Sequence, residues 1–138
     1  MLPDKIELEV VTPQRFVLQQ DVKSLEIPGK DGYLGILPGH APLITELGIG
    51  VLTYRTNGEP HRLTVMQGYA EVLPGRVIVL AEISERAEEI DVEESRQELK
   101  LAQTELSHAS SPEVNWQQAQ VMLERATIRL QVAGKNTG

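Results

Sequence analysis

The grammar of this chain changes near Ser84, and no single periodicity describes both sides of the break. Nine of the 11 glycines and seven of the eight prolines lie in residues 1–84. There they punctuate short runs rich in β-branched residues. The runs read "KIELEVV", "RFVL", "VKSLEI", "GYLGIL", "GVLTYRT", "HRLTVM", "YAEVL" and "RVIVLAE". Pro13, Pro28-Gly29, Pro38-Gly39, Asn57-Gly58 and Pro74-Gly75 separate them, a spacing that predicts antiparallel strands. In the first run Ile6, Leu8 and Val10 alternate with Lys5, Glu7 and Glu9, so one face meets a core and the other meets water. Asn57-Gly58 tolerates the positive φ of a tight hairpin turn and predicts that "LTYRT" pairs with "HRLTVM". So many short strands close most economically as a β-sandwich or a flattened barrel.

Beyond Ser84 the period becomes helical. Val92, Ser95, Leu99, Ala102 and Leu106 are spaced 3, 4, 3 and 4, which makes one apolar stripe. Trp116, Ala119, Leu123, Ala126, Leu130 and Ala133 repeat the rhythm in a second helix. Small residues recur on both stripes and predict a close antiparallel pair. Asp91 with Glu94, and Asn115 with Gln118, have the spacing of N-terminal capping boxes. "SHASSPEVN" between the helices reads as a loop, since Pro112 is unfit for a helix interior. The predicted architecture is therefore α+β, with a sandwich over residues 1–84 and a helical hairpin over 85–138. Val121, Ile128 and Val132 lie off the main stripe of the second helix and call for burial on the sandwich or on a partner.

Composition removes several function classes. A net charge of -7 and a pI near 5.0 leave little for counterion-driven nucleic-acid binding. With no cysteine there is no disulfide framework, thiol nucleophile or thiolate zinc site, which fits a reducing compartment. The opening "MLPDKIELEVV" has neither the basic start nor the apolar run of a signal peptide, and no apolar run approaches the ~20 residues of a membrane-spanning helix. Any membrane association is expected to be indirect.

Catalytic motifs are missing as well. No Gly-x-Ser-x-Gly elbow, phosphate loop or Gly-x-Gly-x-x-Gly leading into a helix occurs. His40, His61 and His108 do not stand at metal-ligand spacing. A metal site would need His40 and His61 to meet a carboxylate such as Glu46 or Glu71 across strands, in the manner of a cupin. The acidic segment "SERAEEIDVEES" lacks the glycine turn of an oxygen-ligand cation loop and reads as a solvated helix face. The expectation is a protein without metal or catalytic residues.

The order of "VVTPQR", "GILPGHAPL", "LGIGVL", "GYAEV", "VIVLAE", "ID" at Ile90-Asp91 and "ERATIRL" resembles that of the epsilon subunit of F-type ATP synthases, through nearly the whole chain. The resemblance implies a non-catalytic central-stalk rotor subunit. Its implied partners are the gamma subunit, the c-ring and the catalytic alpha and beta subunits. It further implies coupling of rotation to proton or sodium flow, and a hairpin that restrains ATP hydrolysis by moving between two packings of similar free energy. The implied location is peripheral, on the cytoplasmic face of a bacterial plasma membrane or on a thylakoid membrane.

The same resemblance assigns contact loops to Gly29, Lys30, Asp31, Gly32 and Tyr33 and to Gly39, His40, Ala41, Pro42 and Leu43. Pro38 and Pro42 restrict the backbone around His40 while Gly35 and Gly39 permit tight turns, so the loop is shaped before it meets a partner. Some family members bind ATP between the hairpin helices through an Ile/Leu-Asp-x-x-Arg-Ala signature and later arginines. Ile90, Asp91, Arg125 and Arg129 match, but Glu94-Ser95 replaces the Arg-Ala pair and reverses charge where a triphosphate needs attraction. Weak ATP binding or none is expected, with no other cofactor. The competing reading is a freestanding nucleotide-sensing module.

Overall fold

A computed structural model describes residues 3–108 and 115–137, and side chains through residue 134. The loop predicted around Pro112 lies outside the described residues. The chain divides into two compact units, Met1–Arg86 and Ala87–Gly138.

The first unit contains β1 (Ile6–Val11), β2 (Phe16–Val22), β3 (Ser24–Gly29), β4 (Gly32–Ile36), β5 (Leu43–Thr56), β6 (Glu59–Leu73) and β7 (Arg76–Ile83). They form one ladder in the order β2-β1-β7-β6-β5-β3-β4. β2 touches β5, four places away along the ladder, so the sheet folds back on itself in two layers around one core. Ile6, Leu8, Val10, Ile27, Leu52, Val65, Val72, Val77 and Val79 fill that core. Every strand pair is antiparallel except β1 with β7, which run parallel from Glu7↔Arg76 to Val11↔Leu80. The predicted all-antiparallel pattern is corrected there. β1 and β7 stand at opposite ends of the unit's sequence, so no short turn dictates their direction.

Two further differences concern continuity. "VKSLEI" is cut at Lys23, with Val22 ending β2 and Ser24 starting β3, whereas "HRLTVM" and "YAEVL" are one 15-residue strand, β6. The hairpin at Asn57-Gly58 is as expected. Both residues have positive φ, 28° and 86°, and Thr56↔Glu59 closes the turn. Midway along β6, Gln67 and Gly68 also have positive φ, 63° and 121°. Inward-facing residues change from odd numbers (Leu63, Val65) to even ones (Ala70, Val72) across this point, although pairing with β5 and β7 keeps its register. The left-handed pair is thus the corner at which β6 exchanges its core-facing side.

The end of the first unit is stitched down. Thr64 and Glu85 exchange bonds, with Thr64 N–H donating to Glu85 O and Glu85 N–H to Thr64 Oγ1, both at 2.9 Å. Arg15 Nη2 donates to Ser84 O at 3.0 Å, and the Arg86 guanidinium donates to Val17 O. Residues 84–86 therefore belong structurally to the sandwich.

The second unit begins with a 3₁₀ turn at Ala87–Glu89, followed by α1 (Val92–Ser107) and α2 (Trp116–Thr137). Asp91 caps α1, accepting from Glu94 N–H at 3.0 Å, and Asn115 accepts from Gln118 N–H at 3.1 Å. Each bond satisfies one of the orphan amides of a helix start and contributes about 1 kcal/mol. Ser95 and Ala102 on α1, and Ala119, Ala126 and Ala133 on α2, are buried at seven-residue intervals. Small residues at this repeat let two helices approach at the near end of the usual 8–10 Å range. Val132 is fully buried, while Val121 and Ile128 are half-buried.

Candidate functional site

In the first unit the expected contact residues surround β4. Gly29 ends β3, Lys30 and Asp31 make the turn, and Gly32 and Tyr33 open β4, so three of these five residues lie in strands. A Cβ on Gly29 would stand 2.7 Å from Gly32 O, and Gly32 has φ 138°, so this turn needs both glycines. Lys30 N–H donates to Glu46 O at 2.9 Å, which ties the turn to β5. The Lys30–Glu46 ion pair at 3.4 Å is mostly exposed and adds little.

Gly39, His40, Ala41 and Pro42 form the loop after β4, and Leu43 is already the first residue of β5, half-buried against the core. Gly39 has φ 88° and donates to Pro74 O at 2.7 Å. His40 N–H donates to Leu37 O at 3.1 Å, and His40 Nδ1 lies 2.7 Å from Ala41 O. A carbonyl only accepts, so Nδ1 carries the hydrogen and the ring helps hold its own loop. His61 lies elsewhere. It stacks on Tyr54 with ring centroids 5.0 Å apart.

Tyr33 has a structural duty beside any contact. Between Glu26↔Thr53 and Gly29↔Leu47, β3 advances three residues while β5 advances six, so part of β5 has no partner in β3. The Tyr33 hydroxyl fills the gap by accepting from Val51 N–H at 3.1 Å. A Cβ on Gly50 would come within 2.5 Å of Pro28 Cβ and 2.6 Å of that hydroxyl. Tyr33→Phe should therefore lower stability by about 1–2 kcal/mol, read as a reduced midpoint in urea with unchanged slope. An unchanged midpoint would show the bond contributes nothing.

In the second unit Arg125 and Arg129, one turn apart on α2, line an open cleft of about 590 Å³ with Glu98 of α1 and Gln117, Gln118, Val121 and Met122 of α2. Arg129 Nη1 donates to Glu98 Oε2 at 3.3 Å, a partly buried pair. The Nε of Arg125 is buried with no hydrogen-bond partner among the described residues. Ile90 and Asp91 do not line this cleft. Asp91 caps α1, and Ile90 N–H donates to Ala87 O at 3.2 Å. The structure thus joins two of the four expected ligand positions and sets the Glu98 carboxylate in the same cleft, paired with Arg129.

Comparison with known proteins covers both units. A family model for the beta-sandwich domain of the ATP synthase delta/epsilon chain matches residues 5–87, and one for its long alpha-helix domain matches residues 88–134. The chain belongs to the ATP synthase delta/epsilon chain family. The ATP synthase epsilon chain of Koribacter versatilis (strain Ellin345) is 50% identical over 112 residues, 81% of this chain and 78% of that one. That of Solibacter usitatus (strain Ellin6076) is 43% identical over 136 residues, covering 97% and 99%. Among solved structures, a chain in the cryo-EM structure of Euglena gracilis mitochondrial ATP synthase (OSCP/F1/c-ring, rotational state 1) superposes with TM-score 0.81 at 26% identity, covering 96% of this chain and 83% of that one.

For this epsilon-family chain, sequence reasoning missed two kinds of residue. Leu37 and Ile44, 65% and 71% exposed, flank the expected loop, and the signal for them was the absence of charge around them. Glu98 had no local signal, because its meaning depends on Arg129 of the other helix. No helix among the described residues is long and apolar enough to cross a membrane.

Proposed function

We propose that the chain is a non-catalytic rotor subunit of the central stalk of an F-type ATP synthase. Its sandwich couples the c-ring to the catalytic head through gamma, and its hairpin restrains ATP hydrolysis. The observation that carries this reading is the family match in both units, sandwich then helices, across residues 5–134. The solved relative from Euglena gracilis belongs to an assembly of F1 and c-ring, which supports gamma, c-ring and alpha/beta subunits as partners here. On this reading the Gly29–Tyr33 turn and the Gly39–Leu43 loop are contact segments, and the protein sits peripherally at the cytoplasmic face of a bacterial plasma membrane.

The hairpin cleft favours weak ATP binding or none. Glu98 already engages Arg129, and Glu94 stands where related signatures carry arginine. Buried Arg125 Nε is the one observation on the side of a ligand. A ligand at a hundred times its dissociation constant stabilises by about 2.7 kcal/mol, so millimolar ATP is expected to leave the thermal midpoint nearly unchanged. A clear upward shift would favour the nucleotide-sensing alternative.

The decisive experiment adds the full chain, or a truncation after Arg86, to an F-type ATPase depleted of its epsilon subunit. The cut falls after Arg86 because residues 84–86 are bonded to the sandwich. Both proteins should bind, and only the full chain should slow hydrolysis, by several-fold. Equal hydrolysis with both would remove the inhibitory role, and failure of both to bind would remove the rotor reading.

A further inference from the structure

Asn57 and Gly58 form the turn between β5 and β6, at one end of the longest strand pairing in the sandwich. Both are exposed, and nothing lies within 4 Å of where a Gly58 Cβ would stand. Among the described residues, neither the Gly58 N–H nor the Asn57 carboxamide takes part in a hydrogen bond. Pro60 has no N–H, so Arg55↔Pro60 is a pair without mutual hydrogen bonds. Alternation then gives the bonded positions to Thr56↔Glu59 and Tyr54↔His61. One bonded pair therefore closes the tip, and when it opens the Tyr54–His61 stack, with centroids 5.0 Å apart, still holds the strands behind it.

An asparagine carboxamide is open to attack by the amide nitrogen of the next residue, provided the chain can rotate to bring that nitrogen onto Cγ. Glycine permits the rotation, whereas a Cβ hinders it. Arg55 Nη1 donates to Gly58 O at 3.2 Å and so sets a cation on the turn, which favours the deprotonated nitrogen that attacks. The chain's other two asparagines lack this setting. Asn115 is followed by Trp116 and holds its Oδ1 on Gln118 N–H at 3.1 Å, and Asn136 is followed by the β-branched Thr137.

We infer that Asn57 is a modification site, at which the turn converts itself into an isoaspartyl link. The Gly58 nitrogen loses its proton and bonds to Asn57 Cγ, the Cγ–Nδ2 bond breaks, and Nδ2 takes up a proton and leaves as ammonia. Water then opens the cyclic imide. Attack at Cγ gives an ordinary aspartyl peptide, and attack at the backbone carbonyl carbon gives an isoaspartyl link with a free α-carboxylate. Either product adds one negative charge to a chain already at -7, and the isoaspartyl link lengthens the turn by one backbone atom. The exposed α-carboxylate is the group that an isoaspartyl carboxyl methyltransferase takes as substrate.

The test ages the folded full chain at physiological temperature and mildly alkaline pH, maps its peptides by mass, and counts isoaspartyl groups by enzymatic carboxyl methylation. Asn57 should convert at least about tenfold faster than Asn115, since a loop tip opens far more readily than a bonded helix cap. Conversion should quicken as pH rises, because the attacking nitrogen must first lose its proton. Asn57→Gly keeps a residue suited to positive φ and should remove nearly all methyl acceptance. If that variant does not fold, the peptide map of the unaltered chain still decides. Equal conversion at Asn57 and Asn115 overturns the assignment, as does conversion of Asn57 without any methyl acceptance. An intact Asn57 in the folded chain, over a time in which the urea-unfolded chain converts, overturns it too, because the folded turn then protects the amide.

Discussion

Gly68→Ala should destabilise the sandwich by at least about 3 kcal/mol, enough to remove a large part of the 5–15 kcal/mol typical of a domain. Two independent costs combine at this position. Gly68 has φ 121°, a backbone region closed to alanine except under strain of order 1–3 kcal/mol. An added Cβ would also stand 2.0 Å from Leu80 O and 2.9 Å from Ala81 Cα, both backbone atoms of β7. They can retreat only by opening the Gly68↔Ala81 and Tyr69↔Leu80 pairs. Because β6 exchanges its inward face here, the damage reaches both layers. Thermal unfolding of the full chain should show the midpoint falling by more than about 10 °C. Gly35→Ala, with nothing within 4 Å of its Cβ, serves as the control and should melt like the unaltered chain. If the two variants melt alike, the corner does not have the role assigned to it.

Ala126→Leu should loosen the hairpin without loosening the sandwich. Ala126 is completely buried, in step with Ala119 and Ala133 on α2 and with Ser95 and Ala102 on α1. Three extra carbon atoms at a close helix contact force the helices apart or the side chain off its rotamer, at about 1–3 kcal/mol. A two-helix unit has little reserve, since helices of this length are marginal in water without a packed face, and α1 has 16 residues. Amide exchange across α1 and α2 should therefore accelerate by about fivefold to a hundredfold, while the amides of β1 and β7 stay protected. Uniform acceleration in both units would mean that the substitution acts on global stability instead. On the rotor reading the same variant should still bind the complex while inhibiting hydrolysis less than the unaltered chain.

Much of the candidate docking region was legible because it depends on local chemistry. The turn at Lys30-Asp31 and the loop at Gly39 and Pro42 follow from residues adjacent in sequence. The 14 uncharged residues around them are likewise a property of the string itself. What could not be read was the second duty of Tyr33. Its hydroxyl matters because β5 slips by three residues against β3, and that slip arises only when strands 18 positions apart are brought together. The hairpin cleft divides the same way. Arg125 and Arg129 were visible one turn apart on a helix, but Glu98 acquires its meaning from a residue 31 positions away.

By itself the sequence determined element types and their ends. Alternation placed Ile6, Leu8 and Val10 inward, the seven-residue recurrence of small residues set the helix seam, and Asp91, Asn115 and Asn57-Gly58 marked two caps and a turn. Such features rest on interactions within about four residues, for which the order of side chains is sufficient. Tertiary structure alone decided the parallel pairing of β1 with β7, the change of face at Gln67-Gly68 and the open edge at β4. Each depends on which distant strand is available as a neighbour, and that is settled by closing one core around all seven strands, not by any local pattern.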